Sequence, residues 1–141
     1  MSKRNVKAKT HAPTCSCLLL CDDVVVTHAH DKHNLMGIVG SIFVRELPGH
    51  VGGFVAYART SDLHGTEEVE LVIRRPSDNE PVMKIRATFQ SDTPLNVQTL
   101  VARVPPLLVE EAGRYMFSAE SNGSILAQTP INVIVPQETK P

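Results

Sequence analysis

Met83, Ile85, Ala87 and Phe89 alternate with Val82, Lys84, Arg86, Thr88 and Gln90, so residues 82–90 separate an apolar face from a largely polar one. A period of two is the pattern of a half-buried β-strand. Residues 68–75 repeat it, with Val69, Leu71 and Ile73 against Glu68, Glu70 and Arg74, and the Pro-Ser-Asp-Asn-Glu-Pro stretch at 76–81 reads as a turn. Together they predict a hairpin. Residues 113–135 predict another: Tyr115, Phe117 and Ala119 alternate with Arg114, Met116, Ser118 and Glu120, then Asn122-Gly123 supplies two residues tolerant of positive φ. The return strand carries Ile131, Val133 and Val135 on one face.

Further strands are expected over 54–60, over 95–104 until Pro105-Pro106 ends the ladder, and over 17–26, where Asp22-Asp23 suggests a bulge or bend. Residues 35–47 fit both a helix and a strand; Gly37 and Gly40 weaken the helix and the β-branched residues favour the strand. Residues 27–34, 48–53 and 62–66 read as loops or turns. About eight short strands divided by Gly, Pro, Asn and Asp clusters describe an all-β fold, and one flat sheet of that width would leave an apolar face in water. Two packed antiparallel sheets of about seven to nine strands are therefore expected. Glu110-Glu111-Ala112-Gly113-Arg114-Tyr115, a turn entering a strand with Tyr near its start, resembles the tyrosine corner of immunoglobulin-like sandwiches.

The chain has 141 residues, enough for one domain with its own core, and its apolar content is that of a globular protein. Lys3, Arg4, Lys7 and Lys9 with few apolar neighbours make residues 1–14 a basic tail, the domain is expected over 15–136, and 137–141 form a second short tail. A formal charge of −1 gives no global attraction to nucleic acid or to an anionic membrane. No apolar run approaches the ~20 residues of a membrane helix, and the short run near the N-terminus is less than a signal peptide requires. Cys15, Cys17 and Cys21 lie too close together for a useful disulfide framework. The cytoplasm is the expected location.

The one constellation with chemical character is His28-Ala29-His30-Asp31-Lys32-His33. His28, His30, Asp31 and His33 are ligands suited to zinc or another divalent transition metal, and alternate residues of an extended segment can aim His28 and His30 the same way. The spacing matches no established zinc motif, so a polar connector is the leading reading and a metal site the alternative. No cofactor is expected on the leading reading. Cys17 and Cys21 fit as small apolar core residues and Cys15 as a thiol at the tail boundary. Asp22 and Asp23, adjacent on a strand, point to opposite faces. No nucleophile elbow or phosphate-binding glycine loop is present, so no catalytic residue is assigned and the chain is not expected to be an enzyme.

Leu20-Cys21-Asp22 in an early strand, Gly37-Ile38 after a loop, and the Gly-x-Tyr-x-Phe strand at Gly113 with its closing hairpin are similar to an uncharacterised bacterial family of small immunoglobulin-like β-sandwich proteins. The resemblance covers residues 17–135. It implies the sandwich fold and no catalytic residue. The family loop more often carries Gly-Lys where this chain has Asp31-Lys32-His33, so the histidines are not a family feature. The expected function is a non-enzymatic module for protein contacts, through a sheet face, a sheet edge or the His-rich loop, including homo-oligomer formation through outward apolar residues such as Val72 and Met116.

Overall fold

The computed structural model describes residues 12–27 and 32–137. The expected tails therefore fall largely outside the described residues, although Pro13 is already buried and Thr14 opens the first strand. Eleven strands follow: β1 (Thr14–Thr27), β2 (Lys32–Ile38), β3 (Ser41–Phe43), β4 (Gly49–Val51), β5 (Val55–Ser61), β6 (Gly65–Arg74), β7 (Pro81–Ser91), β8 (Gln98–Arg103), β9 (Leu107–Val109), β10 (Gly113–Ser121) and β11 (Ser124–Ile134). The surplus over the expected number comes from β3, β4 and β9, each three residues long and too short to show a period.

Both expected hairpins form. Ser121 pairs with Ser124 across Asn122 (φ 51°) and Gly123 (φ 80°), the two left-handed residues that a type I′ turn requires. β6 and β7 pair from Gly65↔Ser91 to Arg74↔Pro81, and their turn closes with the Arg75 N–H donating to Glu80 O and Asn79 at φ 60°. A five-stranded sheet runs β3-β11-β10-β6-β7, a four-stranded sheet runs β2-β1-β5-β8, and β4-β9 form a small ribbon. One pairing, β3 with β11, is parallel, which departs from the fully antiparallel expectation.

The two larger sheets share one apolar core. Leu18, Leu20, Ala56 and Ala58 from the four-stranded sheet join Val69, Leu71, Ile73, Tyr115, Phe117, Ala119, Ile131 and Val133 from the other. These are the inward members of the alternations, apart from β1, where both faces looked apolar. The Tyr115 hydroxyl donates to the Glu111 carbonyl at 2.8 Å and anchors the turn entering β10.

Several expectations need correction. Of the bulge or bend expected at Asp22-Asp23, no bulge forms: the ladder with β2 continues from Cys21↔Ile38 to Asp23↔Met36, pairing with β5 stops at Cys21, and the register shift lies between Cys15 and Cys17. Residues 35–47 are not one strand, because Gly37 adopts φ 68° and the chain leaves the four-stranded sheet at Val39 and Gly40 to enter β3 in the other. Lys32, His33 and Asn34 belong to β2 and not to the loop, while 48–53 contain β4. β8 begins only at Gln98, since residues 91–96 fold into a turn held by the Ser91 hydroxyl on Thr93 O (2.6 Å) and the Leu95 N–H on the Thr93 hydroxyl (3.2 Å).

Val72 is not an outward apolar residue available for contact. It faces away from the core yet is fully buried, flanked in register by Ser118 of β10 and Lys84 of β7. Arg74 reaches across this face, donating to the Ser118 hydroxyl at 3.3 Å and to both carboxylate oxygens of Glu120. The hydrogen bond from Arg74 holds the Glu120 carboxyl below its ordinary range; desolvation opposes this and the Ser118 hydroxyl, 2.7 Å away, assists it. A depressed carboxylate stabilises the fold above its unfolded pKa, and that contribution disappears as pH falls through the folded value.

Two measurements follow from this packing. In urea titrations Phe117→Ala lowers stability by about 3–5 kcal/mol, because a fully buried ring leaves a cavity in the shared core. Glu120→Gln is less stable than the parent at pH 6, and the difference narrows as pH falls through the lowered folded pKa of Glu120, where the parent's carboxyl also becomes neutral.

Candidate functional site

His28, His30 and Asp31 of the expected metal site lie outside the described residues. His33 lies in β2, half-buried, with Nδ1 2.7 Å from the Tyr57 hydroxyl and the two rings edge-to-face at 5.6 Å. This partnership has a geometric consequence. His33 is in register with Val26 and Tyr57 with Leu19, seven positions apart along β1 and so about 23 Å on a straight strand. The contact requires an arm, the far half of β1 and the adjoining β2, to curl back over the outer face of the four-stranded sheet. Cys21, Val55 and Tyr57 lie outside the core cluster and are nevertheless buried, Tyr57 with His33 against it.

The cysteines serve packing. Cys21 is buried with its thiol directed at Val55 O, and burial pushes that thiol up, as do Asp22 and Asp23 beside it. Cys15 is likewise raised by burial, with its thiol on Cys17 O at 3.4 Å. A raised thiol is a poor nucleophile at neutral pH. All three are free, and among the described residues no three His, Cys, Asp or Glu side chains group as metal ligands.

An open groove lies where the chain passes between sheets. Its volume is about 710 Å³, and it is lined by Asp22, Gly37, Ile38, Gly40, Phe43 and Gly52 among others. β2 is the outermost strand of one sheet and β3 of the other, so two edges unpaired among the described residues flank it. Ile38 is 59% exposed and Phe43 67%, and Met36 (55%) and Ile134 extend the apolar surface along these edges. Asp22 is the single charged side chain of the lining. Gly37 makes the corner: its φ of 68° suits glycine, and a Cβ there would lie 2.2 Å from an Asp22 carboxylate oxygen. Apolar anchors, one carboxylate and unpaired strand edges can hold another polypeptide.

Sequence reasoning placed Ile38 on a strand but could not show that it shares a groove with Phe43, because the lining draws on three separated segments, Asp22, residues 37–43 and residues 51–54. His33 was singled out for metal, and its tyrosine partner had no signal in the spacing.

The chain is an all-β protein of several sheets, and among the described residues no helix is long and apolar enough to cross a membrane. It belongs to the family of unknown function DUF6941, whose profile covers residues 16–134, from the start of β1 to the last residue of β11. That agrees with the resemblance to an uncharacterised family over nearly the same span. No curated protein matches the chain.

If the arm is held through Tyr57, Tyr57→Phe removes one hydrogen bond without disturbing the core. Amide exchange in β2 then accelerates about five- to tenfold while β10 and β11 are unaffected, measured by hydrogen–deuterium exchange.

Proposed function

We propose that the chain is an immunoglobulin-like β-sandwich that works without catalysis, as a cytoplasmic module for protein contacts made at the groove between β2 and β3. The strand order supports the fold reading: β11-β10-β6-β7 follows the G-F-C-C′ order of a variable-type sheet, and β1-β5-β8 follows A-B-E of its companion. The hydroxyl of Tyr115 on the carbonyl four residues upstream, at the entry to the strand in the F position, is the tyrosine-corner contact.

The observation that carries the functional reading is the exposure of Phe43 and Ile38 beside two unpaired sheet edges. A large aromatic side chain two-thirds exposed on a three-residue strand adds nothing to the core. Against a partner it becomes an anchor, and the adjoining edge supplies main-chain hydrogen bonds. Asp22 favours an occupant that brings a cation to that end of the groove.

A photo-crosslinking residue placed at Ser41, which lines the groove, tests this in cells. The expected result is one discrete protein adduct, lost in the Phe43→Asp and Ile38→Asp backgrounds while thermal melting is unchanged. Adducts that are diffuse, or that persist in both backgrounds, overturn the reading.

A further inference from the structure

We infer that the free edge of β2 pairs antiparallel with β2 of a second copy of this chain, with the two-fold axis at Asn34. The inference goes beyond the groove proposed above: it concerns the neighbouring outer edge of β2 and uses neither Phe43 nor Asp22.

The direction of the main-chain groups comes first. The Val39 N–H donates to Leu20 O at 2.7 Å, in the same register as Asp23↔Met36. In an antiparallel ladder the residues that bond to a given neighbour alternate, so residues 33, 35 and 37 turn their N–H and C=O groups toward β1. Lys32, Asn34, Met36 and Ile38 turn theirs outward, and among the described residues the sheet order places no strand on that side. Edge strands are usually blunted by proline, a bulge or inward charges. Residues 32–36 carry none of these beyond the terminal Lys32, and the kink at Gly37 lies just past them.

The side chains are self-complementary in one register. With Asn34 opposite the partner's Asn34, Lys32 stands opposite the partner's Met36, and their outward groups form three hydrogen-bonded pairs. Paired residues share a face, and Met36 is itself in register with Asp23. Each Lys32 therefore lies level with the partner's Asp23, two strands away at about 10 Å between Cα atoms, within the combined reach of the two side chains. The symmetry forms this opposite-charge pair twice. Lys32, Asn34, Met36, Asp23 and Val25 are all exposed, so the face that the dimer would extend is uncovered, and the opposite face of the arm is the one turned toward Tyr57. Asn34 leans toward its own β1, donating to Val25 O at 3.3 Å, and so leaves the axis clear.

Light scattering and sedimentation of the purified full chain across a micromolar to millimolar series test the pairing, with a dimer expected. Met36→Pro removes an outward N–H and no β1–β2 hydrogen bond, so it yields a monomer that melts as the parent does. Should that variant fail to fold, charge reversal decides: Lys32→Asp and Asp23→Lys each weaken the dimer about tenfold, and the double reversal restores it. A chain that is monomeric throughout, or a dimer indifferent to both sets of substitutions, overturns the inference.

Discussion

Everything in the larger sheet is referred to β10. It bonds to β11 on one side and β6 on the other, and Tyr115, Phe117 and Ala119 project from it into the shared core with almost no exposed surface. Hydrophobic burial along this strand is the dominant favourable term available to a chain with few aromatics and no tryptophan. β11 is positioned by β10, β3 by β11, and Phe43 by β3. The exposed ring at the groove is thus two pairings removed from the buried ring that fixes it.

The two outer faces are closed by different means. On the four-stranded sheet His33 of β2 lies against Tyr57, and Cys21 and Val55 are buried as well. The five-stranded sheet is covered by polar side chains, with Arg74, Ser118 and Glu120 linked above Val72. What is left for recognition is the margin of the molecule, where strands end and the chain changes sheets. That shifts the functional reading from sheet faces and the His-rich segment toward the edges.

The sequence was most informative where a strand is half-buried and its partner is close in the chain. The hairpins of β6 with β7 and of β10 with β11 show a period of two and carry their own turn residues, so both strands and connection were legible. Val72 misled because alternation reports direction, whereas exposure also depends on what neighbouring strands lay over the residue. Asp22-Asp23 suggested a bulge because two carboxylates interrupt an apolar run; their actual setting beside Gly37 depends on a glycine fifteen positions away. The groove was illegible for a related reason. Three-residue strands have no period, and their pairing is decided by tertiary contacts.

The parallel pairing of β3 with β11 joins residues about ninety positions apart. During synthesis from the N-terminus, residues 41–43 have no ladder to enter until β11, about ninety residues later, has been made. A short apolar segment carrying Phe43 therefore stays open over that interval, and the sheet closes only when β11 folds back beside it. The strand that carries the exposed ring of the finished molecule is also one that a nascent chain must leave unpaired until β11 arrives.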